Sequence, residues 1–271
     1  MLKRTVRLPA RVARWLLRRP GCLFLLAGDE RLASEPPSRF RYAWLESLIA
    51  SLAWSLVSVS IWGAAWAMFG EPVGRPMPAC LVAATFVLWP YRRAVRGGLE
   101  MVFPSDATLR SVGGAVFVLV LTLALLSLRP DWRKDSELPQ WLIWIRPWEK
   151  VYRPMVLMPL WGAWAMFVAP HFCRARQVAS PAVAVFAAGC SPLLTASVMG
   201  LLLALTATYY NFLGGWQLPI AACGAGSAII AGVVFCRLEG GLTRRALLAA
   251  NVVTQLVFLL ACLATCNLVY W

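Results

Sequence analysis

The longest uncharged stretch of this sequence decides its fold. Residues 177–236 read QVASPAVAVFAAGCSPLLTASVMGLLLALTATYYNFLGGWQLPIAACGAGSAIIAGVVFC and contain no Asp, Glu, Lys, Arg or His. Arg176 precedes the stretch and Arg237 follows it. A helix that crosses a bilayer needs about 20 mostly apolar residues, and Asn211–Gly215 divides the stretch near its middle. The pattern therefore predicts two membrane-spanning helices joined by a tight turn.

The rest of the 271-residue chain has the same character. Apolar residues make up 60% of the chain and charged residues 14%, against roughly 45–50% and about 25% in soluble domains. We predict an all-α fold, a polytopic transmembrane helical bundle, with a single membrane domain over residues 42–271 that follows a basic segment, residues 1–41. The predicted spans are residues 42–69, 77–91, 111–128, 155–170, 181–210, 216–235 and 246–270.

Two further segments are predicted to lie on the membrane surface. Residues 1–41 carry ten of the 26 basic residues, and within them Val12, Trp15 and Leu16 form an apolar helical stripe. A signal peptide or a mitochondrial presequence is the alternative interpretation of this segment. A short Trp-rich interfacial helix is predicted near residues 139–146. The residues expected to contact lipid head groups are Arg11, Arg14, Arg18, Arg19, Trp141 and Trp144.

The distribution of basic residues predicts orientation but does not fix the number of spans. With seven spans and a cytoplasmic N-terminus, 19 of the 26 basic residues are inside, as the positive-inside rule requires. If the 15-residue segment 77–91 is re-entrant instead, six spans remain and the inside count is again 19. We favour seven spans because the loop at residues 129–153 also carries four acids. The expected location is a bacterial inner membrane.

Small side chains recur at helical spacing and predict surfaces where helices approach closely. The first predicted span has a stripe of serines, and the last spans carry small residues four positions apart. The helix-packing residues expected are Ser47, Ser51, Ser55, Ser58, Ala184, Ala188, Gly200, Gly224, Ala228 and Gly232.

A few polar residues inside apolar runs form a candidate substrate face. Asn251 and Gln255 are one helical turn apart in the last span, with Thr254 beside them. Polar groups in hydrocarbon must face other helices or a wet cavity, because leaving them unpaired costs several kcal/mol. Ser191 and Pro192 complete the set, since a proline inside a span predicts a kink.

Three functions remain open on this sequence. The first is a non-catalytic membrane component, that is, a subunit, assembly factor or scaffold that binds other membrane proteins and a bilayer with anionic head groups. The second is a carrier of a small neutral or lipid-like solute that uses Pro192 and the Asn251/Gln255 face. The third is an enzyme acting on lipid head groups through Glu100 and Asp106, which lie near arginines in one loop.

The sequence offers little for an enzyme or a cofactor site. It contains no HExxH, GxSxG, GxxxxGK[ST] or GxGxxG motif, and these motifs mark common catalytic and nucleotide-binding sites. One His and eight Cys without a CxxC pair provide no pattern for a metal. We therefore expect no catalytic residues, no metal and no cofactor. We also expect no nucleic-acid partner, because the positive charge lies in short connections between apolar runs.

Overall fold

The computed structural model describes residues 35–69, 76–88, 91–128, 151–174, 180–213 and 215–270. These residues form helices and no strands, which confirms the predicted all-α class. The α-helices are α1 (Ala43–Phe69), α2 (Pro76–Leu88), α3 (Arg92–Val102), α4 (Ala107–Leu126), α5 (Tyr152–Phe172), α6 (Pro181–Gly189), α7 (Pro192–Tyr209), α8 (Gln217–Leu238) and α9 (Arg244–Tyr270). Short 3-10 helices cover Pro37–Tyr42 and Asn211–Leu213.

Within the described residues, six helices are long and apolar enough to cross a bilayer. They are α1 with the turn before it, α4, α5, α7, α8 and α9. Helix α2 is apolar but has only 13 residues, a length of about 20 Å at 1.5 Å per residue. The hydrocarbon core is about 30 Å thick, so α2 cannot cross it alone. The chain is therefore a multi-pass membrane protein.

Helix α5 is the centre of the bundle. Every side chain from Arg153 to Ala169 is buried, and α5 packs against α1, α7, α8 and α9. Its sequence is apolar on all sides, as expected of a helix surrounded by other helices. Helix α4 lies at the edge, where Val112, Val116 and Leu119 are exposed.

Contacts with α5 give the direction of α1 and α7. We call the membrane surface where α1 begins the first side and the opposite surface the second side. Trp44 at the start of α1 makes an edge-on contact with Phe167 near the end of α5, with ring centroids 6.4 Å apart. The ring nitrogen of His171 at the end of α5 lies 2.9 Å from the Thr195 hydroxyl near the start of α7. At the opposite end, Arg153 donates to the carbonyl of Tyr209 at 2.7 Å. The starts of α1 and α7 therefore lie beside the end of α5, so both helices are antiparallel to α5.

Helix α8 is parallel to α5, and α9 returns antiparallel to it. A Cβ at Gly224 would lie 3.0 Å from Trp161, and one at Gly232 would lie 3.1 Å from Ala169. The turn after α8 stays beside the end of α5, because the backbone N–H of Leu242 donates to a carbonyl at position 174 at 2.8 Å. Helix α9 therefore starts on the first side and ends on the second.

The segment containing α2 and α3 completes a seventh crossing. Helix α1 ends on the second side. Helix α3 lies beside the start of α9, where Gly97 is close to Arg245, and α4 follows α3 directly. The chain between Pro76 and Val102 must therefore cross from the second side to the first. This agrees with the seven-span alternative, except that the second crossing extends past residue 91 into α3, because the 13-residue α2 is too short to cross alone.

The proline in the fifth predicted span breaks the helix rather than bending it. Helix α6 ends at Gly189 and α7 begins at Pro192, so the spanning helix is shorter than the predicted span 181–210. Pro192 lacks the N–H that would continue the helix, and the Ser191 hydroxyl caps α7 by accepting from the N–H of Leu194 at 3.2 Å. Gly189 packs tightly on the turn before α1, since a Cβ there would lie 2.5 Å from the carbonyl oxygen of Arg41.

The two predicted surface helices lie outside the described residues. This applies to the head-group residues of the N-terminal segment, Arg11, Arg14, Arg18 and Arg19, and to Trp141 and Trp144. Their contact with lipid stays a prediction.

Candidate functional site

The amides of the last span lie at the interface between α9 and α5. Asn251 and Thr254 are fully buried and Gln255 is 1% exposed. The Gln255 amide nitrogen donates to the side-chain oxygen of Asn251. The two side chains are therefore bonded to each other along one face of α9.

Gly162 of α5 is what allows this face to pack. A Cβ at Gly162 would lie 2.6 Å from Cγ of Gln255 and 2.8 Å from both the backbone oxygen and the side-chain oxygen of Asn251. Real Cβ contacts are longer than this, so only glycine fits. The amide face points into a neighbouring helix at this position.

Tyr91 brings the segment between α2 and α3 to the same cluster. Its hydroxyl lies near Gln255 of α9 and Ser51 of α1. Its ring stacks on Phe86 with centroids 4.3 Å apart and meets Trp54 edge-on at 6.4 Å. The polar cluster thus joins residues from α1, α5, α9 and the break between α2 and α3.

Several polar atoms in this cluster lack a direct partner among the described residues. They are the amide nitrogen of Asn251, the side-chain oxygen of Gln255 and the hydroxyls of Thr254 and Ser51. The interactions of Tyr91 with Gln255 and Ser51 therefore fall short of direct hydrogen-bond geometry. Each unsatisfied buried group costs about 1–3 kcal/mol. These groups therefore lower the free energy of unfolding, and the packing of the helices must offset that loss.

Ser191 and Pro192 lie in different surroundings from the amides. Both are exposed at the start of α7, near the first side rather than in the middle of the bilayer. Asn251, Thr254 and Gln255 are buried between α9 and α5. The structure thus brings three of the five candidate substrate residues together and places the other two elsewhere.

The serine stripe of α1 is buried, and one of its members contacts α5. Ser47, Ser51, Ser55 and Ser58 are all buried, each 0–1% exposed. The Ser55 hydroxyl lies 2.9 Å from the carbonyl of Ser51 in its own helix and 3.0 Å from the carbonyl of Val156 in α5. One member of the stripe therefore forms an interhelical hydrogen bond.

The small residues of α8 pack on the central helix. Gly224, Ala228 and Gly232 are buried. The Trp161 ring lies over Gly224, stacks on Phe258 of α9 at 6.0 Å, and donates from its indole nitrogen to the Thr206 hydroxyl of α7 at 3.2 Å. Trp161 is therefore a single side chain that contacts three neighbouring helices.

The small residues of α6 and α7 do not pack in the same way. Ala184, Ala188 and Gly200 are exposed, and a Cβ at Gly200 would meet nothing within 4 Å. The break before Pro192 also separates α6 from α7, so the four-residue repeat does not lie on one continuous helix. Within this chain these residues do not mediate helix packing.

The two acids of the enzyme hypothesis have structural partners. Asp106 is the N-cap of α4, and its carboxylate accepts from the N–H groups of Thr108 and Leu109 at 2.8 and 2.9 Å. Glu100 forms an ion pair with Arg96 one turn earlier in α3, at 2.7 Å. Both arrangements are common stabilising features of helices.

A basic cleft opens where α3 meets the start of α9. It has a volume of about 320 Å³ and is lined by Arg93, Arg96, Gly97, Glu100, Arg244, Arg245 and Leu248. Four arginines and one glutamate give the lining a formal charge of +3. The cleft lies on the first side, where α1 and α9 begin.

Sequence reasoning missed the residues that complete both sites. Gly162 and Tyr91 gave no signal, because their importance depends on contacts between segments roughly 90–165 residues apart. Arg93 and Arg96 were recognised only as neighbours of the two acids in one loop, and Arg244 and Arg245 only as part of the charge that predicts orientation. These arginines flank predicted spans on the same side of the membrane, which was a signal for a shared basic site. The chain order could not show that α3 and α9 are neighbours.

The fold and these sites define a multi-pass α-helical membrane protein. No family model, no curated protein and no solved structure shows detectable similarity to the chain.

Proposed function

We propose that this protein is a non-catalytic membrane component, a subunit, assembly factor or scaffold that binds another membrane protein. The observation that carries the proposal is the close contact of Asn251 and Gln255 with Gly162. This polar face of the bundle interior is thereby packed directly against a neighbouring helix. A component of this kind interacts through its outer surface. Among the six spanning helices, α4 has the smallest share of its residues buried inside the bundle.

We also propose that the first side faces the cytoplasm of a bacterium, with the inner membrane as the host. The start of α1, the basic face of α3, Arg174 and the start of α9 all lie on the first side. This is the arrangement that the positive-inside rule favours for short connections.

Site-specific photocrosslinking in intact cells tests the proposed interaction. A photoreactive amino acid at Leu119, 58% exposed on α4, is expected to give one discrete adduct with a protein. The matched control is Leu125 on the same helix, which is 0% exposed and should give no intermolecular adduct. The adduct should persist in Gln255→Leu if this variant still folds. Adducts with lipid alone at Leu119 and at other exposed positions, such as Leu201 and Ile230, would contradict the proposal.

One observation favours a carrier as the second candidate. Buried polar atoms of Ser51, Thr254 and Gln255 lack direct partners among the described residues, and a small neutral solute would supply them. Swelling of proteoliposomes in glycerol and in urea separates the two functions. A carrier for either solute increases the swelling rate and loses the increase in Gln255→Leu. A scaffold gives the rate of protein-free vesicles in both solutes.

A further inference from the structure

The basic cleft combines charges from two separate parts of the chain. Arg93, Arg96 and Glu100 lie on one face of α3 at helical spacing, while Arg244 and Arg245 are the first two residues of α9. Glycine at position 97 brings the two helices close, since a Cβ there would already contact the Arg245 side chain at 3.7 Å. The folded chain therefore concentrates four guanidinium groups that the sequence separates.

The cleft has the chemistry of a phosphate site. Guanidinium groups present several donors in a planar fork that matches phosphate oxygens. The positive end of the α9 dipole adds to the same field, because Arg244 and Arg245 occupy its first turn. Arg244 is 8% exposed, so part of the charge is held in a largely desolvated position where electrostatic interactions are stronger.

The position of the cleft suits a ligand at the membrane surface. Leu248 lines the cleft one turn further along α9, so the lining has an apolar side chain beside the charged ones. A lipid head group meets both requirements, because its phosphate is anionic and its chains are apolar. Soluble phosphates satisfy only the first requirement.

We propose that this cleft binds a phosphate-bearing group, supplied either by the head group of an anionic lipid or by a soluble phosphate. Glu100 is the internal competitor in this site. Its carboxylate is paired with Arg96 at 2.7 Å, and it repels a phosphate at the same guanidinium. This site goes beyond the proposed scaffold function and does not depend on it.

The test uses the full-length protein purified in a neutral detergent. Binding is measured by native mass spectrometry and by the shift in melting temperature, with dioleoyl phosphatidic acid in one arm and inorganic phosphate or glycerol 3-phosphate in the other. Arg93→Gln and Arg245→Gln should each weaken binding about tenfold or more, since each removes charged hydrogen bonds. Glu100→Gln should strengthen binding several-fold because it removes the competing carboxylate.

Arg92→Gln is the matched control. Arg92 is exposed on α3 next to Arg93, and its substitution removes the same charge from outside the cleft. Binding should stay within about twofold of wild type. The proposal is overturned if Arg92→Gln weakens binding as much as Arg93→Gln, or if neither class of phosphate binds.

The two arms identify the source of the phosphate. Tighter binding of phosphatidic acid than of both soluble compounds, with the expected variant pattern, supports a lipid head group. Equal binding of the soluble compounds, with the same pattern, supports the site and assigns it to a soluble phosphate. Arg245→Gln is set aside if it lowers the melting temperature of the ligand-free protein. The proposal is then tested by Arg93→Gln, which should weaken phosphate binding, and by Glu100→Gln, which should strengthen it.

Discussion

Gly162→Ala tests whether the amide face of α9 is closed by direct contact with α5. The added methyl group would lie 2.6 Å from Cγ of Gln255 and 2.8 Å from the backbone oxygen of Asn251. A flexible side chain can move, but the backbone oxygen moves only if α9 shifts. Overpacking of this kind costs about 1–3 kcal/mol, whereas replacing glycine by alanine inside a helix gains at most about 1 kcal/mol. The cost exceeds the gain, and we expect a net loss of up to about 2 kcal/mol.

Gly200→Ala is the control for the same chemical change. Gly200 also lies inside a spanning helix, but a Cβ there meets nothing within 4 Å. The helix-propensity gain is then unopposed, so stability should stay equal or rise slightly. Both variants are compared by thermal unfolding in detergent, and unfolding is monitored by circular dichroism and tryptophan fluorescence. A Gly162→Ala protein as stable as wild type, or a Gly200→Ala protein that is the less stable of the two, would refute the reasoning.

The remaining predictions concern single contacts. Ser55→Ala should lower the free energy of unfolding by about 0.6 kcal/mol, the average for an interhelical hydrogen bond in a membrane, because its hydroxyl bonds to Val156 of α5. Ser60→Ala should have no measurable effect, because that hydroxyl bonds only to Leu56 in its own helix and is exposed; equal losses in the two variants would argue against the interhelical bond. Asp106→Ala should cost about 0.5–2 kcal/mol, the usual value of an N-cap, while Asp106→Asn keeps most of it. Thermal unfolding checks this pair, and a larger loss in Asp106→Asn than in Asp106→Ala would remove the capping explanation.

Hydrophobic length predicted the membrane class and most of the helices. The opening uncharged stretch indeed yields α7 and α8, and the serine stripe of α1 is buried against the bundle. These features depend on local pattern, because about 20 apolar residues or a helical repeat of small side chains can be recognised within one segment.

Features that depend on contacts between segments could not be predicted in the same way. The α2–α3 crossing is hidden because α3 carries Arg92, Arg93 and Arg96, so it does not resemble a span. The small-residue repeat through Ala188 and Gly200 is regular in sequence, but the break at Pro192 interrupts the helix on which it would lie. The basic cleft joins residues about 150 positions apart, and only the pairing of α3 with α9 brings them together.

The second crossing is tested most directly by locating both ends of the α2–α3 segment in the full-length protein. One reporter is inserted after Phe69, where α1 ends, and in a second version it is inserted after Ser105, between α3 and α4. Each reporter is a pair of domains active on opposite sides of the membrane. A crossing formed by α2 and α3 together predicts that the two insertions report opposite sides. Two insertions on the same side would contradict the described architecture, because α1 ends on the second side and α4 begins on the first.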